Sequence, residues 1–221
     1  TITGAGEFKI NVSTTTEFED ATKETGTENL TYDTIWSFDG QSSPLSGVNL
    51  KDGKIYAAKG QKVVNTDEDK KGNVVSGTFT IENIAANIAF NVQDGSHQYF
   101  WQFRSDSKTL KKHTQIGNNI AVYGAEVPIV LNDGENTFLI ATVGDKIYTY
   151  LNDELIDVCD VNKELPTSGG FGIRNGGSES SYISNLNVGS NLKYTVSTTV
   201  TAEEKVQVNK NFLNKTIEYA K

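Results

Sequence analysis

Asp94-Gly95-Ser96-His97-Gln98-Tyr99-Phe100-Trp101-Gln102-Phe103-Arg104 is the densest stretch of the chain. It opens on a turn signal, Asp94-Gly95, and then alternates. Successive side chains of a β-strand point to opposite faces, so Tyr99, Trp101 and Phe103 share one face and read as core. Gln98, Phe100, Gln102 and Arg104 share the other. That second set mixes an aromatic ring with amides and a guanidinium. Planar polar groups can take paired hydrogen bonds with vicinal hydroxyls, and a ring can stack on the apolar side of a sugar. A solvent-facing sheet surface with ordinary polar residues has the same composition, so this strand alone leaves both readings open.

Working outward, strand signals dominate. Runs rich in Val, Ile, Thr, Tyr and Phe recur at Glu7–Val12, Thr34–Phe38, Gly53–Ala57, Val74–Ile81, Ile84–Val92, Thr109–Ile116, Ile120–Tyr123, Asn136–Val143, Lys146–Leu151, Glu154–Val161, Gly170–Arg174 and Ser181–Val188. Asn49–Gly53, Gln93–Gly95, Val143–Lys146 and Leu151–Glu154 read as hairpin connections. Many short strands at near-regular spacing predict an all-β sandwich or barrel. The expected core is Phe79, Ile81, Ile88, Phe90, Tyr99, Trp101, Phe103, Ile140, Tyr148, Tyr150, Phe171, Ile173, Ile183 and Leu186. Asn65–Asn73 reads as a charged, solvated loop and lacks the ligand order of an EF-hand. From Thr201 to Lys221 the pattern turns helical, with a capping box at Thr201 and Glu204 and an apolar face of Leu213, Ile217 and Ala220.

Composition narrows the function. The 221 residues carry 20 Lys+Arg against 28 Asp+Glu, a net charge of −8. That disfavours nucleic acid or an anionic membrane surface as partner. No apolar run approaches the roughly 20 residues that span a bilayer. One cysteine, Cys159, excludes an internal disulfide framework and a cysteine zinc site, and it sits in an apolar run that suits a buried thiol. The two histidines, His97 and His113, are too far apart for a helical metal pair. Gly-x-Ser-x-Gly, Walker and dinucleotide glycine patterns are absent, as is the Glu-x-Asp-x-x-Glu signature of jelly-roll glucanases. The carboxylates sit mainly at turns. The chain begins at Thr1 and contains no Met, which we read as an excised piece of a longer protein.

Two further segments bear on the polar face. In Leu110-Lys111-Lys112-His113, Lys111 and His113 fall opposite Leu110. In Gly170-Phe171-Gly172-Ile173-Arg174-Asn175, Phe171 and Ile173 point inward and Arg174 outward, with Gly172 expected to leave ligand room beside it. The chain has two arginines against eighteen lysines, and both fall on outward strand faces. A guanidinium offers a rigid planar fork that an ammonium cannot, so its retention there points to a geometric role. A salt bridge across the sheet would serve equally.

The residues Phe90-x-x-x-Asp94, Tyr99-x-Trp101-Gln102, Leu110-x-x-His113, Gly170-x-Gly172-x-Arg174 and Ser184-Asn185-Leu186-Asn187-Val188 resemble the laminin-G-like or concanavalin A-like modules attached to bacterial glycosidases. The resemblance covers roughly Trp36 to Val188. It implies a concanavalin A-like jelly-roll β-sandwich over residues 1–195, then a linker and the start of a helical spacer over 196–221. It also implies a carbohydrate ligand and a catalytic domain elsewhere in the same parent chain. Lys111 stands where Arg is usual and Ser184 where Asp is usual. The second departure bears directly on the structural calcium of the family.

The expected ligand-binding residues are Gln98, Gln102, Arg104, His113, Arg174 and Asn175 for hydrogen bonding, with Phe100 or Trp36 for stacking. Trp36 suits core and ligand contact alike. The tail from Asn209 resembles the helical spacer repeats of Gram-positive surface proteins, which implies a secreted or wall-attached bacterial glycosidase. The reading is a non-catalytic sugar-binding module. Its rivals are a protein-binding spacer, in which the outward arginines merely pair with carboxylates, and a small glycoside hydrolase, which needs two close carboxylates in a cleft. Galactose-type host glycans, fructan and rhamnose all remain open as ligands.

Overall fold

The computed structural model describes residues 8–10 and 24–200. The expected C-terminal helix at 201–221 lies outside the described residues. The strands are β1 (Phe8–Ile10), β2 (Glu24–Ser37), β3 (Leu50–Lys51), β4 (Lys54–Ala57), β5 (Lys62–Asn65), β6 (Val74–Asn83), β7 (Ala85–Asp94), β8 (His97–Arg104), β9 (Thr109–Ile116), β10 (Asn119–Val122), β11 (Val127–Pro128), β12 (Glu135–Val143), β13 (Lys146–Leu151), β14 (Glu154–Asp160), β15 (Gly170–Arg174) and β16 (Ser180–Val200). One compact unit spans Tyr32–Leu192, and the described residues on either side of it, 8–10, 24–31 and 193–200, belong to a second. The second unit contains the antiparallel pairing of β1 with the end of β16.

The strands form two antiparallel sheets, ordered β14-β13-β12-β6-β16-β4-β3 and β10-β9-β8-β7-β15-β5. This is an all-β sandwich of the jelly-roll class. The turns explain the register. Asp52 and Gly53, at φ of 51° and 71°, close the β3–β4 hairpin as a two-residue turn with both centres left-handed. Asn152 and Asp153 do the same between β13 and β14, at φ of 50° and 67°. Between β7 and β8 the Asp94 carboxylate accepts from both the amide and the hydroxyl of Ser96, each at 2.7 Å. Those hydrogen bonds hold its carboxyl down at about 2.

The inner faces carry the aromatic alternation. Phe79, Phe90, Tyr99, Trp101, Phe103 and Phe171 are among the largest fully buried side chains. Phe90 and Tyr99 stack at 5.3 Å, and Trp101 stands edge-on to Phe90 at 4.8 Å. Ile81 and Tyr148, expected in the core, are only partly buried. Lys112 also points inward, and its ammonium meets the Asp157 carboxylate of the other sheet at 2.7 Å. Cys159 is partly buried nearby. Burial pushes its thiol up to about 12, with Asp157 adding to the shift, which keeps it protonated.

Three short strands escape the sequence reading: β3, β5 and β11. β16 also runs well past Val188, through a stretch rich in β-branched residues, so the expected boundary at 195 falls inside it. Asn65–Asn73 holds a short 3-10 turn, Glu68–Lys70, tied by Lys70–Asp67 and Lys71–Glu68 ion pairs at 2.6 Å each.

Candidate functional site

The outer face of the second sheet gathers most of the expected residues. The pairings His113↔Phe100, Phe100↔Ala89, Ala89↔Gly172 and Gly172↔Val64 make one row across β9, β8, β7, β15 and β5. Beside it, Lys111↔Gln102↔Asn87 forms a second row, and Arg174↔Lys62 continues on β15 and β5. Gln98 pairs with Gln115 on the other flank. Thus Gln98, Phe100, Gln102, Arg104, His113 and Arg174 share one face, as period-two alternation requires.

Phe100 is the pedestal of this face. The His113 ring lies parallel to it at 4.7 Å, with an interplanar angle of 1°. The Arg174 guanidinium carbon sits 5.1 Å from the same ring centroid. Phe100 is only 4% exposed, so little of its ring is left for a sugar to stack on. Its role shifts from stacking platform to support for an imidazole and a guanidinium.

The glycine beside Arg174 also needs correction. A Cβ on Gly172 would lie 2.4 Å from Val63 O and 2.9 Å from Val64 Cγ1. Glycine there lets β5 approach closely, and Val64 occupies the space expected for a ligand. Val64 packs with Ala89, Val92 and Phe100 in a small apolar cluster under the polar groups.

A carboxylate missed in the sequence organises the second row. Glu179, buried, accepts from Gln102 Nε2 at 3.1 Å and from Asn87 Nδ2 at 3.0 Å. The Gly176 amide donates to it as well. Arg104 places Nη1 at 3.8 Å from Glu179 and grips Asp106 through Nε and Nη2 at 3.1 and 2.7 Å. Lys111 faces Glu126 at 3.4 Å. The Arg174 side chain makes no ion pair or hydrogen bond among the described residues.

Two expected residues stand elsewhere. Trp36 stacks on inward-pointing Phe171 at 5.3 Å and packs against the core, which removes it from the ligand face. Asn175 is fully buried, and its amide is spent inside the protein. It donates to Ala57 O at 2.9 Å and Ala58 O at 3.2 Å, and it accepts from Asn87. Asn175 therefore supports Asn87, which in turn supports Glu179. Among the described residues no three His, Cys, Asp or Glu side chains gather as a metal site. Residue 184 is Ser, paired across from Thr78, so the residues present do not fit a carboxylate-held calcium there.

The face holds a titratable group with a defined sign. Burial lowers the pKa of His113, Lys111 lowers it further, and Arg104 and Arg174 act the same way against an opposing pull from Glu179. The folded-state value lies below the ordinary 6.5, so as pH falls the unfolded chain takes up the proton first. The stabilisation is complete above about 6.5 and is lost as the pH falls below it. We expect the thermal midpoint of the protein to drop on mild acidification, and that of His113→Phe to drop less. Parallel curves for the two proteins would remove His113 from this account.

No family model matches the sequence, and no curated protein matches it. Among solved structures the chain is similar to the carbohydrate-binding module CBM66 from Bacillus subtilis. The identity is 16% over 62% of this chain and 82% of that one, with a TM-score of 0.48. It is similar to a Bacillus subtilis protein of unknown function with a galectin-like fold, at 9% identity over 79% and 90% with a TM-score of 0.46. It is also similar to the carbohydrate recognition domain of Emp46p in its potassium-bound form, at 12% identity over 71% and 97% with a TM-score of 0.45.

Proposed function

We propose that this chain is a non-catalytic carbohydrate-binding module whose site is the outer face around Arg174, His113, Gln98, Gln102 and Glu179. The observation that carries the reading is where unmet hydrogen-bonding capacity falls. Of the five buried side-chain polar atoms without a partner among the described residues, three lie on this face: Asn87 Oδ1, Gln98 Oε1 and His113 Nδ1. Buried polar atoms are rarely left unpaired, and exceptions call for an explanation such as strain, a functional role or a bridging water. These atoms have almost no exposed surface and are reached through a bridging water or a side-chain shift, whereas the partly exposed Arg174 guanidinium meets sugar hydroxyls directly.

Catalysis is disfavoured by the carboxylates themselves. Asp106 and Glu179 flank one guanidinium, that of Arg104. The hydrogen bonds from Arg104 hold the Asp106 carboxyl below the usual range. A glycosidase general acid needs the opposite shift.

Such a site gives modest affinity, because hydroxyls exchange water for protein at small net gain. The module would then serve by tethering a catalytic domain in the same secreted or wall-attached bacterial glycosidase to its glycan, with avidity from the linkage. A glycan array with the wild-type protein, Arg174→Ala and His113→Phe tests this. Circular dichroism confirms that each variant folds. We expect one sugar class bound by the wild type, at least about tenfold weaker binding for Arg174→Ala, and a smaller loss for His113→Phe, which keeps the stack on Phe100. Unchanged binding in both variants would place the site elsewhere. Silence of the folded wild-type protein across the array would overturn the reading.

A further inference from the structure

We infer that the glycan bound here carries a carboxylate, seated on the Arg174 guanidinium with Lys62 adding positive charge from the neighbouring strand. The inference rests on the sugar-binding reading above and narrows its substrate class to acidic sugars. Arg174 and Lys62 are direct partners in the β15–β5 register. Alternation puts both side chains on the same outer face. The guanidinium reaches over Phe100, toward β8, so Lys62 adds positive potential to the face from the neighbouring strand.

The remaining charges of the face are answered within the protein. Arg104 has Asp106 and Glu179, and Lys111 has Glu126. Neither Arg174 nor Lys62 has an acidic partner among the described residues, in a chain with 28 acidic side chains to choose from. Arg174 is also only partly exposed, lying over Phe100. Burial lowers its pKa, with no charged neighbour acting to raise it. A partly buried guanidinium with no acidic partner is the arrangement that a carboxylate completes. The planar fork can donate two parallel hydrogen bonds to its two oxygens, and the flexible lysine adds a point charge.

The test uses matched oligosaccharides: an acidic glycan, the same glycan with its carboxyl reduced to the alcohol, and a sulfated neutral analogue. Titration calorimetry follows the wild-type protein and Lys62→Ala. Lys62 is exposed, so that variant is expected to keep its unfolding midpoint. We expect carboxyl reduction to weaken wild-type binding at least about tenfold, and added salt to weaken the acidic glycan but not the reduced one. Lys62→Ala should lose affinity for the acidic glycan alone. Equal binding of acidic and reduced forms overturns the carboxylate and leaves the sugar-binding reading standing. Preference for the sulfated analogue overturns it equally. Failure of every glycan overturns both.

Discussion

Asp157→Ala is expected to lower the unfolding free energy by about 3–5 kcal/mol, although Asp157 touches no part of the candidate site. Lys112 and Asp157 bridge the two sheets at 2.7 Å, with side chains 4% and 11% exposed. Removing the carboxylate leaves an ammonium in the sandwich interior with no anion beside it and little water within reach. Its surroundings cannot open easily, because the backbone on that side is tied down. The Tyr123 amide donates to Lys112 O at 2.9 Å, and Gly124 lies against the end of the lysine chain. The pair itself is worth less than its breakage, since both charges gave up water to form it. The double replacement Lys112→Met with Asp157→Leu is therefore expected to regain most of the loss, and a double-mutant cycle in chemical denaturation reads the coupling. A single-variant loss below about 1 kcal/mol would mean that water reaches the ammonium.

What the sequence revealed and what it hid have a common physical basis. The faces of Gln98–Arg104 follow from period-two alternation, a local property of one strand, and the structure places each of those residues as the alternation predicts. Lys111 and His113 opposite Leu110 follow in the same way. Glu179 could not be found like this. It stands in Gly176-Gly177-Ser178-Glu179, which reads as an ordinary turn carboxylate. Its partners Asn87 and Gln102 lie 92 and 77 residues away in sequence. The one local signal was that Glu179 immediately precedes a strand after two glycines. β5 hid for another reason: Lys62–Asn65 is four residues long and runs into a charged loop, so no alternation could build up. With it went Lys62, the cation opposite Arg174. Trp36 and Asn175 show a third kind of limit. Each has the right chemistry for a sugar contact, and only tertiary packing decides that one ring meets Phe171 and one amide is consumed by Ala57 and Ala58. The two arginines divide likewise. Arg104 is paired with carboxylates, as a structural spacer would have it, and Arg174 is not.

Trp101→Ala is expected to cost about 3–5 kcal/mol, the range for removing a large buried aromatic. Trp101 is 0% exposed and sits edge-on to both Phe90 and Tyr99, at 4.8 and 5.8 Å. Its indole also reaches across the sandwich: Nε1 donates to Thr149 Oγ1 of the other sheet at 2.9 Å, and Thr149 is itself fully buried. Alanine would therefore leave both a cavity and a hydroxyl without its donor. Trp101→Phe separates the two effects. It keeps most of the ring contact and is expected to cost about 1–3 kcal/mol, mainly for the orphaned Thr149. The adjacent residue, Phe100, points the other way and holds His113 and Arg174, so the two positions should report on different things. Trp101→Phe is expected to lower stability while leaving glycan affinity per folded molecule unchanged. Phe100→Leu should weaken glycan binding at least about tenfold by releasing the guanidinium it supports. Denaturation midpoints and titrations on both variants decide the matter. Loss of binding in Trp101→Phe at full folding would show that the outer face depends on the core beneath it, against the independence that the alternation implies.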